Sequence, residues 1–393
     1  MKKKLDANEF LFVTYIWMFT FLKPILQEYS NYSFFILIIT TIIILSISII
    51  KNGARIGIKY ILFLVIVELN ILIDILWRIN DYSFSIQSNI IIFGLISVYL
   101  FSKIKDYNKV LYYYCFYSIV AFLLFFSDPF FNYKVFQDYL GFGYYIIVPS
   151  YIGFFILRKK FKLKYFIPLE IFCLIEALLF SNRGTTFCIL FFLILYELLI
   201  NRVNYKQFIK YIFIFIIISF IISNLSTIAN NLYSYILKNG YSSYSLHRII
   251  EFLNGQDTDD FLSGRDYLWE NAVLMIKQNP LVGSGLGAFE SIYGGYTHNF
   301  ILDLLINFGL IGFLFILFLI LKSIFNIFKC QNTSEKILML SIFSICIPKL
   351  LLSSAYYSDF YFWIILYYSL KGIPKKFQII DINNLSGKKN NDK

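Results

Sequence analysis

Long apolar runs separated by short polar clusters dominate the chain, at 10–27, 34–50, 56–77, 86–101, 110–127, 143–157, 165–181, 185–200, 208–224, 299–321, 337–352 and 356–370. A hydrocarbon core about 30 Å thick takes roughly 20 apolar residues in helix to cross. The runs therefore predict about twelve spans, the last two joined by a short connection. No segment between them is long enough to fold as a separate soluble domain, and only 223–298 is a sizeable loop. The expected fold is all-α: a polytopic integral membrane helix bundle, one domain over 1–393, whose large loop carries amphipathic helices.

Inside that loop three stretches take a helical period. The first is 226–238, and the second is 243–253, with Leu246, Ile249, Ile250 and Leu253 on one face. The third starts at Ser263, with Asp266 three residues on in a capping-box arrangement. Its Leu268, Trp269, Ala272, Val273 and Ile276 form one apolar stripe, and Asn279-Pro280 ends it. Helices of this kind would lie on a membrane surface or over the bundle as a lid.

Composition sharpens the membrane reading. Of the 393 residues 59% are hydrophobic and only 15% charged, against about 25% in soluble domains. The net charge of +11 raises the question of nucleic acid, and the placement of the charges answers it. With the N-terminus taken as cytoplasmic, the segments 2–9, 51–59, 102–109, 158–164, 201–210, 322–336 and 371–393 hold 26 of the 35 Lys and Arg. That is the positive-inside bias of a multi-pass protein with both termini cytoplasmic, and it puts 223–298 outside the cell. No nucleic-acid partner is needed to explain it. The N-terminal Met1-Lys-Lys-Lys4 resembles the basic region of a signal peptide, but no small-residue cleavage site follows, so an uncleaved first span is expected. The five cysteines form no CxxC pair and read as small apolar fillers without redox or metal role.

The outer set of basic residues is unusual. It holds four of the seven arginines, Arg78, Arg183, Arg248 and Arg265, against five of the 28 lysines. A guanidinium grips phosphate or carboxylate through two parallel hydrogen bonds, which an ammonium cannot do, so this points to an anionic ligand. Pairing with outer-loop acids is the bland alternative. Glu68, Glu170, Glu176, Glu197 and Asp303 fall within spans, where charge is costly and usually paired or functional. Glu176 and Arg183 are seven residues apart, two helical turns, and are expected to pair. Lys349 and Asp359 flank the last outer turn and are expected to snorkel or pair. Asp257-Thr-Asp259-Asp260 contains a DxD, but without a nucleotide domain it reads as a solvated acidic loop. Gly283-Ser-Gly285-Leu-Gly287 lacks the GxGxxG spacing and a preceding strand, so it reads as a turn permitting close backbone packing, with Gly294-Gly295 as a similar hinge. The chain has two histidines; His298 stands at the mouth of a span, where it is either a proton acceptor or an interfacial cap. Asn299 and Asp303 follow it on one helix face.

Ser263-Gly264-Arg265, Trp269, Asn279-Pro280-Leu281-Val282-Gly283-Ser284-Gly285, His298-Asn299 and Asn307-Phe308-Gly309-Leu310-Ile311-Gly312 together resemble the signature of the O-antigen ligase and polymerase superfamily of Wzy and WaaL type. Order and spacing agree over about 260–315, and Ser181-Asn182-Arg183-Gly184 is similar to the family's outer arginine turn. The resemblance implies a GT-C-like membrane glycosyltransferase in the bacterial cytoplasmic membrane. Its substrate would be an undecaprenyl-diphosphate-linked oligosaccharide, with no nucleotide sugar, cofactor or metal required. Arg183, Arg265 and His298 carry over as functional positions; Arg248 is included only as an outer arginine. The arginines would neutralise the diphosphate leaving group and His298 would deprotonate the acceptor hydroxyl. Asn299, Trp269, Tyr296 and Glu176 complete the expected substrate contacts, the aromatic rings by stacking on sugars or by interfacial anchoring. A repeat-unit polymerase is favoured over a ligase or oligosaccharyltransferase because the chain is short, with a chain-length regulator protein as an expected partner. A transporter or flippase would more often show two similar halves, and no internal repeat is evident.

Overall fold

The computed structural model describes residues 7–29, 32–52, 56–77, 80–131, 139–200, 225–241 and 265–372, with the single residues 135, 247 and 250. Among these the chain is all-helical, 85% helix with no strand. In chain order the helices are α1 (Ala7–Trp17), α2 (Lys23–Tyr29), α3 (Ser33–Asn52), α4 (Ile58–Trp77), α5 (Ser83–Asn89), α6 (Ser97–Ser102), α7 (Tyr107–Phe125), α8 (Tyr139–Phe142), α9 (Val148–Lys159), α10 (Ile167–Phe180) and α11 (Arg183–Leu199). Then follow α12 (Leu225–Lys238), α13 (Arg265–Gln278), α14 (Ala288–Tyr293), α15 (Phe300–Lys329), α16 (Thr333–Leu352) and α17 (Phe360–Tyr368). π-helical turns at Met18–Leu22, Ile90–Ile96 and Gly143–Ile147 join α1 to α2, α5 to α6 and α8 to α9 without breaking the rod.

Among the described residues six helical segments are long and apolar enough to cross a membrane: Ala7–Gln27, Phe35–Asn52, Ser83–Ser102, Tyr107–Phe130, Tyr139–Lys159 and Phe300–Lys329. This is a multi-pass pattern with fewer clear spans than the twelve apolar runs. The run 208–224 lies outside the described residues. Two others fall short for a physical reason. The 14 residues of α10 rise about 21 Å before Ser181 turns extended, less than the roughly 30 Å hydrocarbon thickness. The run 356–370 forms a 3-10 turn and then only the nine residues of α17, nearly all buried in protein.

The chain divides into two compact units, Met1–Tyr113 with Ala272–Met339 and Ser354–Lys393, and Tyr114–Asn271 with Leu340–Ser353. In the first unit α17 is the buried centre. Its Phe362, Trp363, Ile364 and Ile365 are almost fully buried, and it touches α4, α6 and α15. Asp359 starts α17 by accepting the Tyr361 and Phe362 amides, the cap that such a helix start needs. In the second unit α9 is the centre, buried from Val148 to Leu157 and packed on α10 and α11. Glu170 of α10, one of the in-span acids, is matched by both arms of Arg158 of α9, at 2.5 and 2.6 Å. Glu68 is instead exposed on α4. All five cysteines are buried, and none forms a disulfide.

In the long loop, α12 matches the expected 226–238 helix, and its Ala229 and Ile236 pack with Leu179, Tyr233 and Ile250. The expected 243–253 helix falls almost entirely outside the described residues, as do Arg78, Arg248, Lys134, the 257–260 acidic cluster and the Ser263 cap. Helix α13 ends at Gln278, before Asn279-Pro280. Its apolar stripe is narrower than its sequence suggests: Ala272 and Met275 are buried, whereas Val273 is exposed.

Candidate active site

The two glycine-bearing motifs form one structure. Helix α15 is broken at Gly309, whose backbone (φ 63, ψ −171) is not helical. The break strips Ile306 and Asn307 of the amide partners four residues on, an expensive state for backbone inside an apolar bundle. The 280–285 turn fills the gap. Ser284 and Gly285 amides donate to the Ile306 and Asn307 carbonyls, at 2.6 and 3.2 Å. The freed Leu310 and Ile311 amides donate to Pro280 and Leu281, at 2.8 and 3.1 Å. A Cβ at Gly309 would lie 2.3 Å from the Leu281 carbonyl carbon, and one at Gly283 would lie 2.5 Å from the Gly309 nitrogen. Both glycines also have positive φ. The expectation of a turn for close backbone packing is met, and the packing partner is the second motif. On its other side the turn is tied by the Leu286 carbonyl, which accepts Asn80 Nδ2 and Ser83 Oγ.

This clasp leads through α14 to the start of α15, where His298 sits. His298 has φ +58, the left-handed region that a non-glycine residue enters at a cost of roughly 1–3 kcal/mol. Its neighbours hold it there. Thr297, fully buried, donates its amide to Asp303 Oδ1 at 3.0 Å. The Thr297 hydroxyl lies 2.7 Å from the same oxygen and 2.9 Å from the Asn299 carbonyl, and accepts the Asn299 amide at 3.2 Å. Asn299, and not His298, caps the helix: its Oδ1 accepts the Ile301 amide at 3.0 Å. The half-buried His298 ring lies 4.3 Å from the Tyr296 ring at 42°, so part of the Tyr296 face expected to stack on sugar already meets the imidazole.

Behind this turn is a buried polar cluster that sequence reasoning missed. Glu290 of α14 is 5% exposed; its Oε1 accepts the Tyr357 hydroxyl at 3.1 Å, and its Oε2 has no hydrogen-bond partner. Burial pushes the Glu290 carboxyl above the usual range. Asn307, next to the helix break, donates to the fully buried Tyr356 hydroxyl at 2.8 Å. The available signal was Glu290 itself, an acid on a six-residue helix set between the glycines at 287 and 294. Alongside lies an apolar cavity of about 720 Å³, its open mouth included, walled by Phe308, Phe315, Leu319, Tyr356, Phe362 and Trp363 among others.

Arg183 and Arg265 belong to the second unit. Arg265 opens α13, half-buried, and a terminal guanidinium nitrogen donates to the Leu352 carbonyl at the end of α16. One turn earlier on α16, Lys349 is buried, with Nζ 4.8 Å from the centre of the Tyr145 ring. Tyr144 donates to Ser353 Oγ at 3.2 Å. Trp269 is half-buried on α13. Arg183 is the first residue of α11, which Asn182 caps by accepting the Thr185 amide at 2.7 Å. The expectation that Glu176 and Arg183 share a face of one continuous helix needs correction. Helix α10 ends at Phe180, and Ser181 and Asn182 are extended, so seven residues no longer amount to two turns. Glu176 is 1% exposed, and neither of its carboxyl oxygens has a hydrogen-bond partner. No group of three or more His, Cys, Asp or Glu that could hold a metal ion gathers among the described residues.

Residues 171–317 match the family model of O-antigen ligase, a stretch that contains Arg183, Arg265 and His298 and supports the resemblance carried by the motifs. Over 100 residues the chain is 28% identical to an uncharacterized protein of Haemophilus influenzae, covering 22% of this chain and 25% of that one. The chain thus spans about a quarter of the length of that curated relative. No solved structure matches.

Proposed function

We propose, from a membrane chain whose residues 171–317 match the O-antigen ligase family model, that this protein is a surface-polysaccharide polymerase. It transfers glycan from undecaprenyl diphosphate to a sugar hydroxyl of a lipid-linked repeat unit, for O-antigen or capsule, on the outer face of the cytoplasmic membrane. The acceptor oxygen attacks the anomeric carbon, the bond to the diphosphate oxygen breaks with its electron pair, and the anomeric centre inverts. His298 takes the hydroxyl proton. Arg265 and Arg183 offset the charge growing on the diphosphate, with Arg248 as a further outer arginine. Asn299, Trp269 and Tyr296 are the proposed further contacts to substrate. The observation that carries this reading is His298 held in a left-handed backbone beside Asn299 within the matched stretch. The apolar cavity beside the helix break suits an isoprenoid chain.

His298→Ala and Arg265→Lys should leave the protein in the membrane yet abolish chain elongation, leaving single repeat units. Normal long-chain glycan in both variants would sink the assignment. A ligase reading has its own support in the family description, O-antigen ligase. Purified protein offered lipid-linked repeat units alone separates the two, because a polymerase elongates them and a ligase requires a different acceptor. Elongation in detergent also rules against transport as the primary activity. Cysteine labelling at Ser291 and Ser334 tests the orientation; reaction of Ser334→Cys from outside only would reverse it.

A further inference from the structure

We propose that Asp303, acting through Thr297, is the positioning residue that sets the His298 imidazole for proton transfer; this rests on the reading of His298 as the base. Left-handed φ is unfavourable for a histidine, so the surroundings must over-determine it. They do so from both sides. Asp303 Oδ1 receives the Thr297 amide and is within hydrogen-bonding distance of its hydroxyl, and that hydroxyl in turn receives the Asn299 amide. The amides on either side of His298 are thus tied to one side-chain relay whose root is a carboxyl 3% exposed.

Ordinary capping does not account for Asp303. The helix already has its cap in Asn299 Oδ1. Asp303 Oδ2 is buried and has no hydrogen-bond partner, which is costly for a residue that only had to stabilise a helix start. What the carboxyl gains is a two-pronged hold on Thr297. Without it His298 can relax towards ordinary negative φ, which swings the imidazole away. A general base must come within about 2.6–3.2 Å of the proton it takes, and a displacement of about 1 Å can cost 10²-fold in rate.

The test uses His247→Gln, which leaves His298 as the sole histidine of a chain that has two. His247 meets the edge of Tyr233 in the second unit and has no place in the proposed machinery. In that background Asp303→Ala, Asp303→Asn, Thr297→Val and Thr297→Ser are compared in detergent with a lipid-linked repeat unit. Two quantities are read, kcat against KM and the rate of carbethoxylation of His298 by diethyl pyrocarbonate. Asp303→Ala and Thr297→Val should lower kcat about 30- to 100-fold with KM nearly unchanged, and should change the carbethoxylation rate several-fold. Asp303→Asn keeps the Oδ1 acceptor and Thr297→Ser keeps the hydroxyl, so both should stay close to wild type in both readouts. If Asp303→Ala fails to insert, Thr297→Val and the asparagine rescue carry the test. A wild-type carbethoxylation rate and kcat in Asp303→Ala or Thr297→Val overturns the proposal. Normal elongation by His298→Ala would instead remove the base reading. The positioning claim would then stand or fall on the carbethoxylation rate alone.

Discussion

The surroundings of His298 and of Arg265 are built on opposite plans. His298 is over-determined: a strained backbone, tied on both sides, on a helix whose break is closed by four backbone hydrogen bonds from the 280–285 turn. Arg265 is placed lightly, at the first position of its helix, with its guanidinium on the Leu352 carbonyl. The proposed tasks explain the contrast. A proton acceptor works over tenths of an ångström, because transfer needs hydrogen-bond contact. Stabilisation of a diphosphate falls off only as the inverse of distance, so a cation on a long flexible stem can serve from an adjustable position. Rigid scaffolding is spent where geometry is critical, and the charge is left able to follow the substrate.

The largest effect should come from breaking the rigid side. Gly309→Ala and Gly283→Ala each add a Cβ against backbone that cannot step aside, at a left-handed φ. Each should destabilise by on the order of 3 kcal/mol or more, as overpacking and backbone strain combine. The readout is thermal unfolding in detergent and the yield of folded protein from membranes. Gly240→Ala is the control: it also has positive φ, but a Cβ there meets nothing within 4 Å, so it should lose only about 1–2 kcal/mol. Equal losses at the three positions would mean that strain alone matters and that the clasp is loose.

Arg265→Ala probes the lightly held side and should be a smaller event. It removes one hydrogen bond to a helix-end carbonyl, worth about 1 kcal/mol of stability. Unfolding should shift only slightly while elongation is lost. A loss of stability as large as that of Gly309→Ala would erase the contrast and make Arg265 a structural post.

Much of this was legible in the sequence, and the gaps have physical causes. Apolar period found the helices and placed α12 and the end of α13 closely, because Pro280 and the run of polar residues leave little freedom there. Of its twelve apolar runs, six lie in described helices long and apolar enough to cross a membrane; hydropathy does not tell a helix facing lipid from one, like α17, buried among other helices. The motifs led to His298 and Asn299. Their spacing could not reveal that 280–285 and 306–311 share hydrogen bonds, since a broken helix and a continuous one present the same apolar letters. Glu176 and Arg183 misled for the converse reason. A seven-residue interval means a shared face only while the helix continues, and Ser181 and Asn182, at the gap between the apolar runs 165–181 and 185–200, interrupt it.

Glu290 gives the smallest and most selective test, because it bears on the rigid side without being part of the clasp. Its carboxyl is raised by burial, although the Tyr357 hydroxyl donates to it. A group whose folded-state pKa is raised contributes its stability below the unfolded value of about 4.3, and that contribution is lost as pH rises through the folded value. Wild-type protein should therefore lose a little stability, relative to Glu290→Gln, across a window that opens near pH 4.3 and closes above the folded pKa. The glutamine keeps an Oε1 acceptor for Tyr357 and stays neutral, so its melting temperature should match wild type at the acid end and exceed it at the alkaline end. The comparison between the two proteins at each pH removes the titration of every other group they share. If the two curves run parallel, the Glu290 carboxyl has the same pKa folded and unfolded, and its charged form would then have a partner that the hydrogen-bond geometry does not supply. If they diverge as described, the turn that holds His298 is backed by a carboxyl whose charged form the fold disfavours, and the rigidity of this region owes nothing to a buried charge pair.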